Sequence, residues 1–188
     1  MATMNASEVT VGSALTTGAI FIAPEGTTLP ANAEAQLGNA FKLLGFTSDS
    51  GVQIAESSST ESIRAWEGRL EVFHVRTEYT ESVAFMPIQC NADVAKLTWG
   101  DDMVDVDATS GAILAKHHGA MLKPVVIVIE TAPRDGIIKR YCGTFQLTER
   151  GEITLDGTQS DGRQLTFNSI PDSNGVTMYE HTAYTDED

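Results

Sequence analysis

KPVVIVIET, at residues 123–131, contains five consecutive β-branched apolar residues from Val125 to Ile129 and therefore leaves no polar face. A run of this kind is typical of a strand that is buried on both faces of a sheet. If it were exposed it would promote aggregation, so other parts of the chain must cover it. The turn at residues 132–136 (APRDG) then leads to IIKRYC at 137–142, which we predict to be its antiparallel partner.

Short apolar stretches alternate with turn signals on both sides of this strand, which is the pattern of an all-β chain. The phase of the alternation slips at Val72-Phe73, which indicates either a bulge or a strand buried on both faces. Further strands are predicted at residues 19–23, 42–47, 63–66, 69–80, 81–89, 143–148, 153–156 and 164–170.

One short helix is predicted among the strands. Asn91 or Asp93 can cap its start, and Gly100 ends it. A brief helical turn capped by Asn32 is also expected over residues 31–41. The expected fold is therefore mainly β, a β-sandwich or barrel-like core with one short flanking α-helix and extended N- and C-terminal arms.

The 188 residues predict a single domain with an arm at each end. Residues 1–18 are small and polar and are expected to form the N-terminal arm, and residues 176–188 a final strand or arm. The β-rich core then spans residues 19–175. Within it, residues 48–62 contain too few apolar side chains to bury a face, so we expect them to form a long, mobile loop.

The chain is acidic, with 12 Lys and Arg against 26 Asp and Glu, and its net charge is −14. Such a charge repels phosphate backbones, so ordinary nucleic-acid binding is not expected. No apolar run approaches the ~20 residues that span a bilayer, and the first residues lack the pattern of a signal peptide, so no membrane partner is expected. Cys90 and Cys142 are therefore expected to be reduced thiols in a cytosolic setting, and the sequence leaves a disulfide between them open as the alternative.

No catalytic, metal-binding or cofactor-binding site is predicted. The acidic stretch at residues 101–107 lacks the glycine and the distal glutamate of a calcium loop. His117 and His118 have no further Cys or His at the spacing of a zinc site. The nucleophile elbow G-x-S-x-G and both glycine-rich nucleotide motifs are missing, so a hydrolase or a nucleotide-binding protein has no support.

Four segments follow one another along the chain in a defined order. They are AIFIAPEGTTLP at residues 19–30, LGFTSDSGV at 44–52, ESIRAWEG at 61–68 and SIPDSNG at 169–175. In this order and spacing they resemble the major tail protein, or tail tube protein, of long non-contractile tailed bacteriophages, the siphophages. The resemblance implies a structural protein of the virion tail, assembled in the host cytoplasm, with no enzymatic activity and no cofactor.

The resemblance also implies the mode of assembly. Six subunits would close into a ring, and each would lend strands to one continuous inner β-barrel. The rings would stack around a tape-measure protein, between tail tip or baseplate proteins and a tail terminator protein. Genomic DNA would later pass through the lumen without specific binding, and we hypothesise that a net acidic lumen lets it slide.

We further hypothesise that the N-terminal arm, residues 48–62 and the C-terminal strand make the contacts between rings. Trp66, which follows the polar stretch, is either a core residue or part of an interface. The candidate interface residues are Val9, Val11, Leu15, Asp49, Val52, Ile54, Glu56, Glu61, Trp66, Met178, Tyr179 and Tyr184. The alternative is a β-sandwich module, such as a tail terminator or decoration protein, that binds another virion protein without forming a tube.

Overall fold

The computed structural model describes residues 10–14, 18–132, 136–158 and 160–184. Within these ranges the chain forms ten strands and one α-helix, so the predicted mainly-β class with one short helix is confirmed. The strands are β1 (Ile20–Pro24), β2 (Lys42–Leu43), β3 (Thr47–Arg64), β4 (Glu71–Pro87), β5 (Val104–Val106), β6 (Ile113–Ala115), β7 (Val125–Glu130), β8 (Ile137–Arg150), β9 (Leu165–Ile170) and β10 (Tyr179–Tyr184). The helix α1 spans Ala92–Trp99, and a 3-10 turn follows it at Asp101–Met103.

An eight-stranded antiparallel sheet in the order β2-β1-β7-β8-β9-β4-β3 forms the framework of the protein. β10 and β9 pair with the same edge of β8, β10 with its first half and β9 with its second half. β7 lies between β1 and β8, where Ile127 is fully buried, so the strand predicted at residues 123–131 and its antiparallel partner are confirmed. β8 is one strand where two were predicted, at 137–142 and 143–148.

Side chains cover both faces of this sheet, because neighbouring residues of a strand point to opposite sides. On one face the stacked rings of Phe85 and Phe167, with centroids 5.4 Å apart, lie in the larger cluster. The helix α1 packs on this face through Leu97. On the other face, side chains from residues 29–41 cover a smaller cluster that includes the buried Cys142. The sheet is thus buried on both sides around β7, as its apolar run requires.

The predicted helix ends are confirmed. The Asn91 side chain accepts a hydrogen bond of 2.7 Å from the N–H of Val94 and donates one of 3.0 Å to the carbonyl of Leu44. Gly100 ends the helix with a φ of 91°, which favours glycine. The strands predicted at residues 19–23, 164–170 and within 176–188 are β1, β9 and β10.

The expectation of a mobile loop at residues 48–62 is wrong. These residues form most of β3, which pairs with β4 in one long antiparallel hairpin. Their low apolar content does not prevent this, because the partner strand satisfies the backbone groups whatever the side chains are. Residues 69–80 and 81–89 were predicted as two strands, but β4 runs through both of them as far as Pro87.

Several shorter elements also differ from the prediction. No helical turn forms over residues 31–41, although the Asn32 side chain accepts hydrogen bonds from two following backbone N–H groups, as in an Asx turn. Residues 153–156 are not a strand. Only the first two residues of the strand predicted at 42–47 form β2. The stretch 63–66 was expected to begin a strand, but β3 ends within it, at Arg64. The small hairpin of β5 and β6 was not predicted.

Candidate functional site

The far part of the β3–β4 hairpin, residues 55–81, projects from the body of the protein, and we call it the ribbon. β4 pairs with β9 only at Ser82–Phe85, so within the described residues the rest of the ribbon has no partner strand beyond its own two. At ~3.4 Å per residue the ribbon is roughly 35 Å long. Its turn is closed by the N–H of Ala65, which donates to the carbonyl of Leu70 at 2.8 Å.

The ribbon carries large apolar side chains on both of its faces. Six of them are between 38% and 67% exposed, namely Ile63, Leu70, Val72, Phe73, Val75 and Tyr79. Trp66, in the turn, is 95% exposed. An isolated two-stranded hairpin is only marginally stable in water, and a contiguous exposed apolar surface marks an interaction site. The ribbon is therefore a surface that needs a partner.

The register of the hairpin decides which apolar side chains lie together. Ile63 is directly opposite Phe73, so both lie on one face of the ribbon. The pairing shifts between Ile63 and Arg64, and this leaves Val72 without an opposite residue. The bulge predicted at Val72-Phe73 is thus confirmed, whereas the alternative of a strand buried on both faces is wrong because both faces are exposed.

Within the ribbon only weak, exposed side-chain contacts add to the backbone ladder. Arg64 and Glu71 form a salt bridge of 2.8 Å near the turn, and the guanidinium of Arg76 lies 5.3 Å from the ring centroid of Tyr79. Exposed pairs of this kind contribute ~0.2–1 kcal/mol each. They are too weak to hold the ribbon rigid by themselves.

The base of the ribbon is acidic. Glu56 is directly opposite Glu81, and like charges in this position destabilise a strand pair. The hydroxyl of Thr177 donates a hydrogen bond to Glu81 and ties β4 to the segment before β10. Desolvation of the Tyr79 side chain raises its pKa, and the negative charges of Glu81 and Glu56 raise this pKa further.

A groove of about 330 Å³ lies where the ribbon joins the body. Residues 10–14 form one wall, held in part by the N–H of Ala132, which donates to the carbonyl of Ser13 at 2.6 Å. Three predicted interface residues, Val11, Val52 and Ile54, come together in this groove. Residues 10–14 and the start of β3 therefore form one surface.

The other candidate interface residues are distributed over the molecule. Asp49, Glu56, Glu61 and Trp66 are exposed on the hairpin, and Tyr184 is exposed at the end of β10. Val9 and Leu15 lie outside the described residues.

Met178 and Tyr179 are only partly exposed, and both pack against the core. The hydroxyl of Tyr179 donates a 2.5 Å hydrogen bond to Asp172. This bond, together with the N–H groups of Val176 and Asn174, lowers the pKa of the Asp172 carboxyl. Met178 and Tyr179 thus fasten the C-terminal segment to its own subunit.

Sequence reasoning missed the apolar side chains of the ribbon, with Trp66 the exception. Ile63, Leu70, Val72, Phe73 and Val75 were assigned to strands and not to an interface. The available signal was the polar stretch at residues 48–62, which supplies no apolar face to cover them once it is paired with β4.

The described parts of the chain contain no group of three or more His, Cys, Asp or Glu side chains that could hold a metal ion. In the same residues no helix is long and apolar enough to cross a bilayer.

Comparison with known proteins supplies a family. A family model described as phage tail tube protein matches residues 2–181 of the 188. No curated protein matches the chain.

Proposed function

We propose that this chain, which belongs to the phage tail tube protein family, forms hexameric rings that stack into the tube through which phage DNA leaves the virion. The family is structural rather than enzymatic, and its members are self-assembling components of the virion tail. The rings, their stacking and the passage of DNA are the parts that we propose.

The exposed apolar ribbon is the observation that carries this proposal. Its side chains, Phe73 among them, are too extensively exposed for a free subunit and have no cover within the described residues. A subunit that repeats many times can cover the ribbon of each copy with the body of the next. Such a head-to-tail contact produces a filament where its rotation does not close a ring.

Ring closure would use the edges of the large sheet. β3 forms one edge of the sheet, and on the described part of the chain this edge is unpaired along its 18 residues. At the opposite edge of the sheet, β2 pairs with only two residues of β1. Open edges of this length invite pairing with another chain. Pairing between the two ends of the sheet in neighbouring subunits would close a continuous barrel and leave no edge.

We assign the contacts between rings to the N-terminal segment (residues 1–18), β3 with the ribbon, and the C-terminal strand. A tape-measure protein inside the tube, with tip or baseplate proteins and a terminator at its ends, would complete the tail in the host cytoplasm. With a net charge of −14 per subunit, a net acidic lumen would let DNA slide without sticking. A tube structure with a basic lumen would contradict this last point.

Negative-stain electron microscopy across a concentration series, with light scattering on the same samples, tests the proposal. We expect hollow tubes or six-fold rings. Removal of residues 1–18 is expected to shorten or abolish the tubes, and full-length tubes from that variant would remove the N-terminal segment from the contact. A subunit that stays monomeric at every concentration, even with tape-measure and tip proteins present, would refute tube formation.

A further inference from the structure

A cleft of about 260 Å³ lies at the opposite end of β4 from the ribbon turn. The end of β4, the helix α1 and the segment 161–163 surround it, and Ile88, Val94 and Ile153 give it an apolar lining. With 17 residues in β4, the cleft and the turn are separated by roughly 55 Å along the strand.

Arg163 lines this cleft, and Arg150 lies with it near the ring of Trp99. The guanidinium carbons of Arg150 and Arg163 are 4.8 and 5.3 Å from its ring centroid, and His117 stacks on the same ring at 3.7 Å. Burial, and then the charge of Arg163, lower the pKa of Arg150. The two positive charges therefore repel each other across one aromatic ring.

Neither arginine forms a salt bridge with a carboxylate in the described residues. This is unexpected in a chain with 26 acidic residues and only 12 Lys and Arg. Asp161 also lines the cleft and offsets part of the charge. An aromatic and apolar cleft beside two cations without carboxylate partners fits an occupant that has an apolar ring next to a carboxylate.

The turn of the ribbon presents such a group. Trp66 is 95% exposed, and the adjacent Glu67 is exposed and has no salt-bridge partner within the described chain. Gly68, with a φ of 67°, provides the tight turn that holds both residues at the tip. The tip therefore has an aromatic ring and a carboxylate side by side.

We propose that the ribbon tip of one subunit inserts into this cleft of the next subunit along the tube. Trp66 occupies the apolar cleft beside Trp99, and the Glu67 carboxylate pairs with Arg163. The proposal rests on the proposed tube function and names its contact surface. Because tip and cleft lie at opposite ends of β4, each added subunit offers a new tip or a new cleft, and the contact propagates along the tube where its rotation does not close a ring.

Charge reversal tests the pairing. We expect Glu67→Arg and Arg163→Glu, each alone, to raise the protein concentration needed for tube growth roughly tenfold or more, because each places like charges across the contact. The double variant, with both charges reversed, is expected to recover most of the wild-type behaviour. Glu25→Arg, an exposed reversal on the loop after β1, is the matched control and should assemble like the wild type.

Acrylamide quenching of tryptophan fluorescence gives a second measurement. Trp66 and Trp99 are the two tryptophans of the chain, so in the free subunit quenching should report largely on the exposed Trp66, and assembly should shield it. Circular dichroism and thermal unfolding of each variant check that the subunit is folded.

The outcomes separate the two proposals. Wild-type tubes together with unaffected single variants would overturn the tip-in-cleft contact and leave the tube function standing. A folded double variant as defective as the single variants, or Trp66 equally quenched in tubes and free subunits, would overturn it as well. If the wild type forms no tubes with tape-measure and tip proteins present, the tube function fails and this contact fails with it.

Discussion

A substitution of Phe73 tests the assembly of the subunit separately from its stability. It is 62% exposed on the ribbon, opposite Ile63, so Phe73→Ser removes little from the free subunit. We expect its free energy of unfolding to change by no more than about 0.5 kcal/mol. Full burial of a phenylalanine is worth ~1.5–3 kcal/mol, so covering the exposed part in the proposed tube would contribute ~1–2 kcal/mol per subunit.

At ~1.4 kcal/mol for each factor of ten, this loss should raise the concentration at which tubes appear roughly 5- to 30-fold. The assay is light scattering and electron microscopy over a concentration series, with urea unfolding of the free subunit beside it. Met121→Ser is the matched control, because Met121 is a comparably exposed apolar residue outside the ribbon. Tube formation by Phe73→Ser at the wild-type concentration would refute the role of the ribbon in assembly.

Two further predictions concern the subunit itself. Arg140 is buried, and its guanidinium forms a salt bridge of 2.6 Å with Glu130. Arg140→Met leaves the nearly buried Glu130 carboxylate unpaired, so we expect the free energy of unfolding in urea to fall by ~3–5 kcal/mol. A decrease below ~1 kcal/mol would contradict this. Burial raises the pKa of the Cys142 thiol from 9.0 to about 11, whereas Cys90 is exposed. Ellman's reagent at pH 8 should therefore react with one thiol in the folded protein and with two in denaturant; rapid reaction of both thiols in the folded protein would contradict the burial of Cys142. The free energy of unfolding should also fall as the pH rises from about 9 to 11, because only the thiol of the unfolded chain ionises in that range.

The centre of the fold could be predicted because its signals are local. The apolar run from Val125 to Ile129 needs cover on both faces, and an antiparallel partner follows after one turn. The cap at Asn91 and the stop at Gly100 define the helix from a few residues. Each of these elements follows from the chemistry of a short window of sequence.

The hairpin of β3 and β4 could not be predicted in the same way, because its pairing is not determined by side-chain burial. Residues 48–62 are mostly small or polar, and a strand of this composition has no hydrophobic pattern to fix its face or register. Their backbone groups pair with β4 all the same. The candidate surface was consequently located in part, through Val52, Ile54 and Trp66. The apolar side chains contributed by β4 were assigned to a strand and not to that surface.

The same features suggest how growth of a tube is controlled. In the free subunit the ribbon has exposed apolar faces and a repulsive Glu56–Glu81 pair at its base, so ordering it brings little gain there. We expect its ordering to be stabilised when another subunit covers Phe73 and its neighbours, which would couple local folding to binding. The first ring contacts would then meet that ordering cost without a preformed partner, whereas later subunits would dock on ribbons and clefts that are already fixed. We therefore expect a lag before tube growth that preformed tube fragments abolish, and growth without a lag at low concentration would show that the ribbon is already rigid in the free subunit.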